Sequence, residues 1–342
     1  MSDRSFHLLK VRDVIEETAD AKSVVLDIPP RLAKTFRYRP GQFLTLRVAH
    51  EGRHLLRCYS FSSSPLVDEP PRVTIKRMPL GRVSNWACDN LRAGDEVDVL
   101  PPAGHFTPRS LDQDFLFFAG GSGITPVLSI LRSALIAGHG KLRLIYANRD
   151  EKSVIYRDEL KALASAQSER LQIIHWLDTV QGVPSIAHLA ELARSWCDAD
   201  CYICGPELFM DASVEALRQL GVEPARIHVE RFVSLPDEED APADVAAKSG
   251  GSIRLEVELD GQHYELTCSD NEPLLDAMLR AGINAPHSCR SGACGSCMCT
   301  LEVGEVHLRR NQVLNASDLK ERWILACQAV SDTPSVRVRF PD

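Results

Sequence analysis

The stretch "PHSCRSGACGSCMCTL", Pro286 to Leu301, sets four cysteines among glycine, serine and alanine. Read alone, it suits a disulfide knot, a zinc site, a redox thiol pair or a cradle for iron and sulfide. The rest of the chain separates these. The 342 residues contain eleven cysteines, yet the opening run "MSDRSFHLLKVRDVIEE" is charged and has no apolar signal segment. A reducing cytoplasmic setting is therefore expected, where clustered cysteines hold metal or carry out redox chemistry.

Four residues separate Cys289 from Cys294, two separate Cys294 from Cys297, and Cys327 follows after another 29. C-x4-C-x2-C with a distant fourth cysteine is the plant-type spacing for a [2Fe-2S] cluster. Four thiolates leave such a cluster negatively charged. Backbone N–H groups must then point at its sulfurs, which requires tight turns and little side-chain bulk. Ser291, Gly292, Ala293, Gly295 and Ser296 meet that need. Zinc sites favour two short-spaced couples, whereas here three cysteines cluster and one stands apart. A redox CxxC belongs at a strand–helix junction inside a βα unit, and this one lies beyond the βα region. Cys299, two residues past Cys297, would point to the opposite side of a strand and reads as a structural thiol. The loop and its flanks, with "WILACQAV", resemble the ferredoxin domain of oxygenase reductases. The resemblance implies Cys289, Cys294, Cys297 and Cys327 as the metal ligands.

The preceding chain falls into two parts. "KSVVLDIP", "GQFLTLRVA", "RVTIKR" and "DEVDVLPP" are β-branched runs punctuated by Pro, Gly and Asp, which predicts a small antiparallel barrel. From Asp114 the pattern changes to apolar strands alternating with helices: "DFLFFAG", "TPVLSILRSALIAG", "LRLIYANR", "YRDELKALASA", "LQIIHWL", "HLAELARSW" and "DCYICGP". That alternation predicts a doubly wound parallel sheet. In its first helix Val127, Leu131 and Leu135 share a face, Thr125 suits the N-cap, Pro126 the first helical position and Gly138 the stop. Leu235 to Gly251 is acidic, rich in small residues and aperiodic, and reads as a linker. "SIRLEVELDGQHYELTC" predicts a hairpin turning at Asp260-Gly261, "EPLLDAMLRAG" a helix, and "SVRVRF" a closing strand. The expected domains are 1–108 (FAD-binding β-barrel), 109–234 (NAD(P)-binding, α/β), 235–250 (linker) and 251–342 (α+β, β-grasp ferredoxin).

"FFAGGSGITP" follows a buried strand and opens a helix, so its amides can approach a pyrophosphate where the helix dipole favours anions. It departs from G-x-G-x-x-G, because Pro126 stands where a third glycine would be. The form resembles the nicotinamide domain of the ferredoxin-NADP reductase superfamily, implying Gly121, Ser122, Gly123 and Thr125 as cofactor-binding. "YICGP" is similar to that family's second nicotinamide motif. It brings in Cys204, Gly205 and Pro206, with the cysteine beside the nicotinamide ring. Arg149 could meet a 2′-phosphate, and the adjacent Asp150 a ribose 2′-OH.

"RCYSFSSSP" places Arg57, Tyr59 and Ser60 in the R-x-Y-S flavin motif of the same superfamily. A guanidinium forks onto phosphate, an aromatic ring covers the isoalloxazine, and a hydroxyl bonds its polar edge. Gly81, Val83 and Ser84 are similar to the family's phosphate-binding turn, in the form of its FAD-using members, and Lys76 just upstream joins the cofactor-binding set. Glu230 and Phe232 resemble residues that end the domain near the flavin. The resemblance implies Ser60, Cys204 and Glu230 as the catalytic set.

Flavin barrel, nicotinamide domain and ferredoxin domain stand in the order of an oxygenase reductase. NAD(P)H delivers electrons in pairs and the cluster accepts them singly, so FAD must lie between them. The implied activity is an NAD(P)H-dependent oxidoreductase passing electrons through FAD and [2Fe-2S] to a Rieske or di-iron oxygenase. "ANRDEKSVIYRDEL", "HWLDTVQGVPS" and "EVHLRRN" lean toward the 3-ketosteroid 9α-hydroxylase type. The alternatives are a reductase of the phenylacetyl-CoA epoxidase type and a non-catalytic electron carrier or redox-sensing module. A net charge of −8 without a basic stripe argues against a nucleic-acid partner. No apolar window approaches the ~18 residues of a membrane span.

Overall fold

The structure, a computed structural model, describes residues 6–50, 53–232, 252–287, 290–292, 294–311, 313–314 and 316–341. The expected linker therefore lies outside the described residues, as does Cys289.

The first sheet comprises β1 (His7–Thr18), β2 (Ala21–Asp27), β3 (Phe43–His50), β4 (Arg53–Ser60) and β5 (Arg72–Lys76), then helix α1 (Arg82–Asn90) and β6 (Glu96–Val99). It runs β4-β3-β6-β1-β2-β5, all antiparallel, and a bridge between Phe61 and Val73 draws its two ends together. β1 is the least legible strand in the sequence. Only Leu9 and Val11 are fully buried in it, and Lys10, Arg12, Asp13 and Glu16 flank them. The R-x-Y-S run is the end of β4 and not a polar loop between strands.

Next come β7 (Phe115–Gly120), α2 (Ile124–Ala137), β8 (Leu142–Asn148), α3 (Arg157–Ala166), β9 (Leu171–Leu177), α4 (Asp178–Gln181), α5 (Ile186–Ala193), β10 (Asp200–Cys204), α6 (Glu207–Gln219) and β11 (Ile227–Glu230). The strands are parallel in the order β11-β10-β7-β8-β9. The order reverses beside β7, so a crevice opens at the carboxyl ends of β7 and β10, where such sheets take ligands. Every residue of β7 is buried, as its unbroken apolar run requires. The start of α2 differs from expectation. A 3-10 turn over Gly121–Gly123 precedes it, Gly123 is the N-cap, and Pro126 is the third helical residue. Thr125 lies inside the helix, and its hydroxyl donates to the Ser122 carbonyl at 3.0 Å. Gly138 does terminate the helix.

The third domain comprises β12 (Ser252–Leu259), β13 (Gln262–Ser269), α7 (Leu274–Arg280), β14 (Met298–Val303), β15 (Val306–Leu308), α8 (Ala316–Lys320), β16 (Trp323–Leu325), β17 (Ala329–Ser331) and β18 (Ser335–Arg339). Its main sheet runs β13-β12-β18-β14-β16, with the first and last strands of the domain, β12 and β18, paired in parallel, and β15 and β17 pair as a separate two-stranded sheet. This mixed sheet packed on α7 is the β-grasp arrangement. The β12–β13 turn has positive φ at both Asp260 and Gly261, 51° and 70°, as a two-residue primed turn demands.

The three sheets share no strand. The barrel and the parallel domain meet along a polar seam, where Ser129 Oγ donates to the Ser63 carbonyl at 2.7 Å and Arg132 pairs with Glu69 at 2.8 Å.

The turn before α2 is fixed by steric exclusion. A Cβ on Gly123 would lie 2.1 Å from the Cys204 carbonyl oxygen and 2.6 Å from the Gly205 nitrogen. Gly123→Ala should therefore destabilise the protein by about 1–3 kcal/mol, the usual cost of overpacking. Urea unfolding followed by circular dichroism measures it, and a change under half that range would show that the turn can shift freely.

Candidate functional site

At the crevice the predicted nicotinamide residues come together. Gly120 could carry no Cβ, since one would sit 2.6 Å from Pro206 Cδ, and a Cβ on Gly205 would fall 2.9 Å from Gly120 Cα. The glycine turn and the Cys204-Gly205-Pro206 turn thus pack backbone on backbone. Gly121 is left-handed, with φ 52°. Its outer face is open apart from the Lys76 ammonium, which a Cβ there would approach to 3.4 Å. Tyr146 on β8 holds the turn from below, its hydroxyl donating to the Gly121 carbonyl at 3.0 Å. Sequence reasoning missed Tyr146, because an apolar strand run carries no sign that one hydroxyl will brace a turn. Lys76 also faces Asp20, at 3.8 Å. A cation, open amides and a helix start at one place fit a nucleotide pyrophosphate.

Cys204 ends β10 fully buried and lies in register with Glu230 on β11. Burial raises its thiol far above the usual value, with the neighbouring carboxylate adding to the effect. Cys204 is thus a neutral packing group and not a thiolate. Burial likewise pushes the Glu230 carboxyl up to about 8, so at neutral pH it is mostly protonated. Phe232, two residues on, is 46% exposed, and the structure gives it no place against the crevice.

On the flavin side, β4 pairs with β3 so that Tyr59 faces Leu44 and Ser60 faces Phe43. Ser60 is buried and Tyr59 half-buried. Burial raises the Tyr59 phenol against the opposing effect of Arg57. Arg57 donates to the Leu56 carbonyl at 2.7 Å. α1 has Gly81 as its N-cap, with no side chain capping it. A helix start is where backbone N–H groups and the dipole favour an anion. A Cβ on Gly81 would strike Ser84 Oγ at 2.4 Å, so this turn also needs glycine. Val83 is 1% exposed and its side chain belongs to the barrel core, which leaves only its backbone for a ligand. These residues fit FAD.

Arg149 and Asp150 are spoken for locally. Arg149 donates to Asp150 at 3.0 Å and to Ser153 Oγ at 3.0 Å. Asp150 also accepts from the Ser153 amide and hydroxyl at 2.9 and 2.8 Å, capping a short 3-10 turn. The Arg149 hydrogen bond, the largest influence, holds the Asp150 carboxyl below the usual carboxylate range.

In the third domain Cys297 and Cys327 are both buried in the core, and the half-buried Cys294 thiol donates to Ser296 Oγ at 3.3 Å. Arg290, Gly292 and Gly295 all have positive φ, at 53°, 77° and 69°. A Cβ on Gly292 would meet the Arg310 carbonyl oxygen at 2.7 Å. Gln328 Nε2 reaches Cys327 Sγ at 3.7 Å and ties the loop through the Arg290 carbonyl at 2.9 Å. A tight left-handed loop of small residues and an amide donor aimed at the Cys327 sulfur fit an iron–sulfur cluster. Cys289 lies outside the described residues. Cys299 is fully buried in the domain core, away from ligand duty.

Family models match three consecutive stretches: an oxidoreductase FAD-binding domain over residues 8–107, an oxidoreductase NAD-binding domain over 117–215, and a 2Fe-2S iron-sulfur cluster binding domain over 257–331. The chain is 47% identical to the 3-ketosteroid-9-alpha-monooxygenase, ferredoxin reductase component, of Rhodococcus rhodochrous, covering 97% of this chain and 96% of that protein. It is 34% identical to one component of the 1,2-phenylacetyl-CoA epoxidase of Escherichia coli, with 98% of each covered. Among solved structures, phthalate dioxygenase reductase, described as a modular structure for electron transfer from pyridine nucleotides to [2Fe-2S], aligns with a TM-score of 0.61 at 25% identity, over 98% of each chain.

The Glu230 carboxyl yields a stability prediction. Unfolded, it loses its proton near the ordinary 4.5; folded, it keeps it to about 8. Across that window the native state binds more protons, so stability must fall as pH rises. Glu230→Gln removes the titration. The variant should match the parent near pH 4.5 and melt higher than it above pH 8. Parallel melting-temperature profiles for the two proteins would refute the burial of this group.

Proposed function

This chain belongs to the reductase components of multicomponent oxygenases, and from that membership we propose that its electron acceptor is a ketosteroid 9α-hydroxylating oxygenase. The observation that carries the finer reading is the 47% identity, over nearly the whole of both chains, to a ketosteroid 9α-monooxygenase reductase component, against 34% for the epoxidase component. Bound FAD supplies the exchange between paired and single electrons that joins a nicotinamide to an iron–sulfur cluster.

The chain's residues divide the remaining work. Gly121, Ser122, Gly123 and Thr125 shape the turn that takes the nucleotide phosphates, and Lys76 supplies the charge. Cys204, Gly205 and Pro206 wall the nicotinamide side of the crevice. Cys204 acts there by shape, because its thiol stays protonated. Ser60 offers a buried hydroxyl, and Glu230 a carboxyl able to hold a proton at neutral pH, on the two sides where the rings meet. Arg57, Tyr59 and the start of α1 at Gly81–Ser84 hold the FAD. Cys289, Cys294, Cys297 and Cys327 ligate the cluster. The acceptor is a separate oxygenase whose substrate contacts are its own.

Three measurements test this reading. Acid extraction should release FAD and about two irons per chain, as plant-type ligation requires. Cys294→Ser should remove the cluster spectrum while leaving the flavin, because the ligands sit in the third domain, apart from the barrel. Reconstitution with a ketosteroid 9α-oxygenase should sustain turnover that a phenylacetyl-CoA epoxidase does not; the reverse preference would overturn the assignment.

The coenzyme is proposed to be NADH. A 2′-phosphate would approach an Asp150 carboxylate that its hydrogen bonds keep ionised, with Arg149 already committed to it. kcat/KM should favour NADH. A tenfold preference for NADPH, about 1.4 kcal/mol, that vanishes in Arg149→Ala would reverse the choice.

A further inference from the structure

Tyr156 stands just before α3 in a left-handed backbone conformation, φ 60° and ψ 27°. A bulky side chain adopts that geometry only where its surroundings impose it, and such sites often serve function. The surroundings here belong to the other domain. Tyr156 is 2% exposed. Its phenol hydroxyl is hydrogen-bonded to Thr74, and the Arg72 guanidinium lies over its ring at 4.8 Å. Thr74 also bonds Ser23 at 2.6 Å, and Ser23 donates to the Glu17 carboxylate at 2.5 Å. Arg72 then reaches Glu159 on α3 at 2.8 Å.

Arg72, Thr74 and Lys76 alternate along β5 and therefore share one face. The first two grip Tyr156; the third stands over Gly121. A single strand of the flavin barrel thus touches the nucleotide domain at its anchor and at its phosphate turn. Any slip at the anchor is carried along β5 to the turn, because a strand is stiff along its length. Hydride transfer needs its two reacting atoms held in near-contact, and small misplacements are costly.

We propose that Tyr156 is a positioning residue for hydride transfer: clamped by Thr74 and Arg72, it fixes the register of the nucleotide domain on the flavin barrel. The proposal rests on the reading that the nicotinamide binds at the glycine turn and reduces a flavin held by the barrel. The clamp is polar throughout, which suits it to setting geometry more than to adding stability.

The test uses the full FAD-loaded chain under anaerobic stopped flow, with NADH and its 4-deuterated form, and with dithionite as a reductant needing no nicotinamide site. Tyr156→Phe keeps the ring under Arg72 and loses the hydroxyl bond; Thr74→Val removes the same bond from the barrel side. Each should slow NADH-driven flavin bleaching about tenfold, the scale of a sub-ångström misplacement, with a raised deuterium isotope effect. Flavin content, dithionite reduction and NADH affinity should stay near parental. The long-wavelength charge-transfer absorbance with NAD should weaken, and the double variant should be no slower than either single. Unchanged bleaching and isotope effect in both variants overturn the clamp, as does a rate loss that only follows lost flavin. A parent chain that NADH and NADPH both fail to bleach overturns the functional reading and the clamp together.

Discussion

Two backbones cross at the carboxyl ends of β7 and β10 with no room for a side chain between them. Gly123 lies against the Cys204 carbonyl, and Gly120 against Pro206 and Gly205. That contact decides much of what surrounds it. It starts α2 only after a 3-10 turn, which leaves Pro126 two residues deeper than a cap at Thr125 would place it. It leaves Gly121 turned outward toward Lys76, the one face of the turn that remains open. It also sets Cys204 in register with Glu230, so that a buried thiol and a half-buried carboxyl meet at one corner. Desolvation raises the proton affinity of both groups.

The cores and the seam divide stability from specificity. Each sheet has its own apolar core, led by residues such as Phe117 and Leu128 in the parallel domain and Leu44 and Phe61 in the barrel. Apolar contact is non-directional and would tolerate sliding. Hydrogen bonds and buried ion pairs do not, because a displaced donor leaves a desolvated partner behind. Placing serines, Arg72, Arg132 and Tyr156 where the two domains meet thus makes one relative orientation far better than its neighbours.

What the sequence disclosed follows the reach of its signals. The apolar run of β7 and the Asp260-Gly261 turn are local patterns with narrow structural meanings, and the structure agrees with them; the cysteine spacing is another such pattern, and it falls within the stretch matched by the 2Fe-2S cluster binding family. β1 was hidden because its outward residues are mostly charged and its register comes from β2 and β6. The cap of α2 was misplaced because Thr125 matched a local preference that the packing of Gly123 overrides. Arg149 and Asp150 were legible as charges, but not as a pair closed on Ser153. Tyr146, Gln328 and the grip on Tyr156 act across tens of residues, and no window of sequence contains both partners. The individual phosphate and flavin residues were named through family likeness. Among them Val83 is buried in the barrel core and Phe232 is 46% exposed.

The two transfers this chain joins demand different mechanics. Hydride moves as an atom with its electron pair and needs near-contact between donor and acceptor, so the domains that exchange it are locked by directional bonds. A single electron can tunnel across several ångströms of protein, and its donor and acceptor need only be near. The third domain shares no strand with the others and closes its own sheet by pairing β12 with β18. The hydride side is tied more closely: Phe106, in the loop that leaves the barrel, enters the nucleotide-domain core and packs edge-on against Tyr202. The two domains that must hold near-contact are thus joined by a buried ring as well as by directional bonds, which is what transfer of an atom, unlike that of a lone electron, calls for.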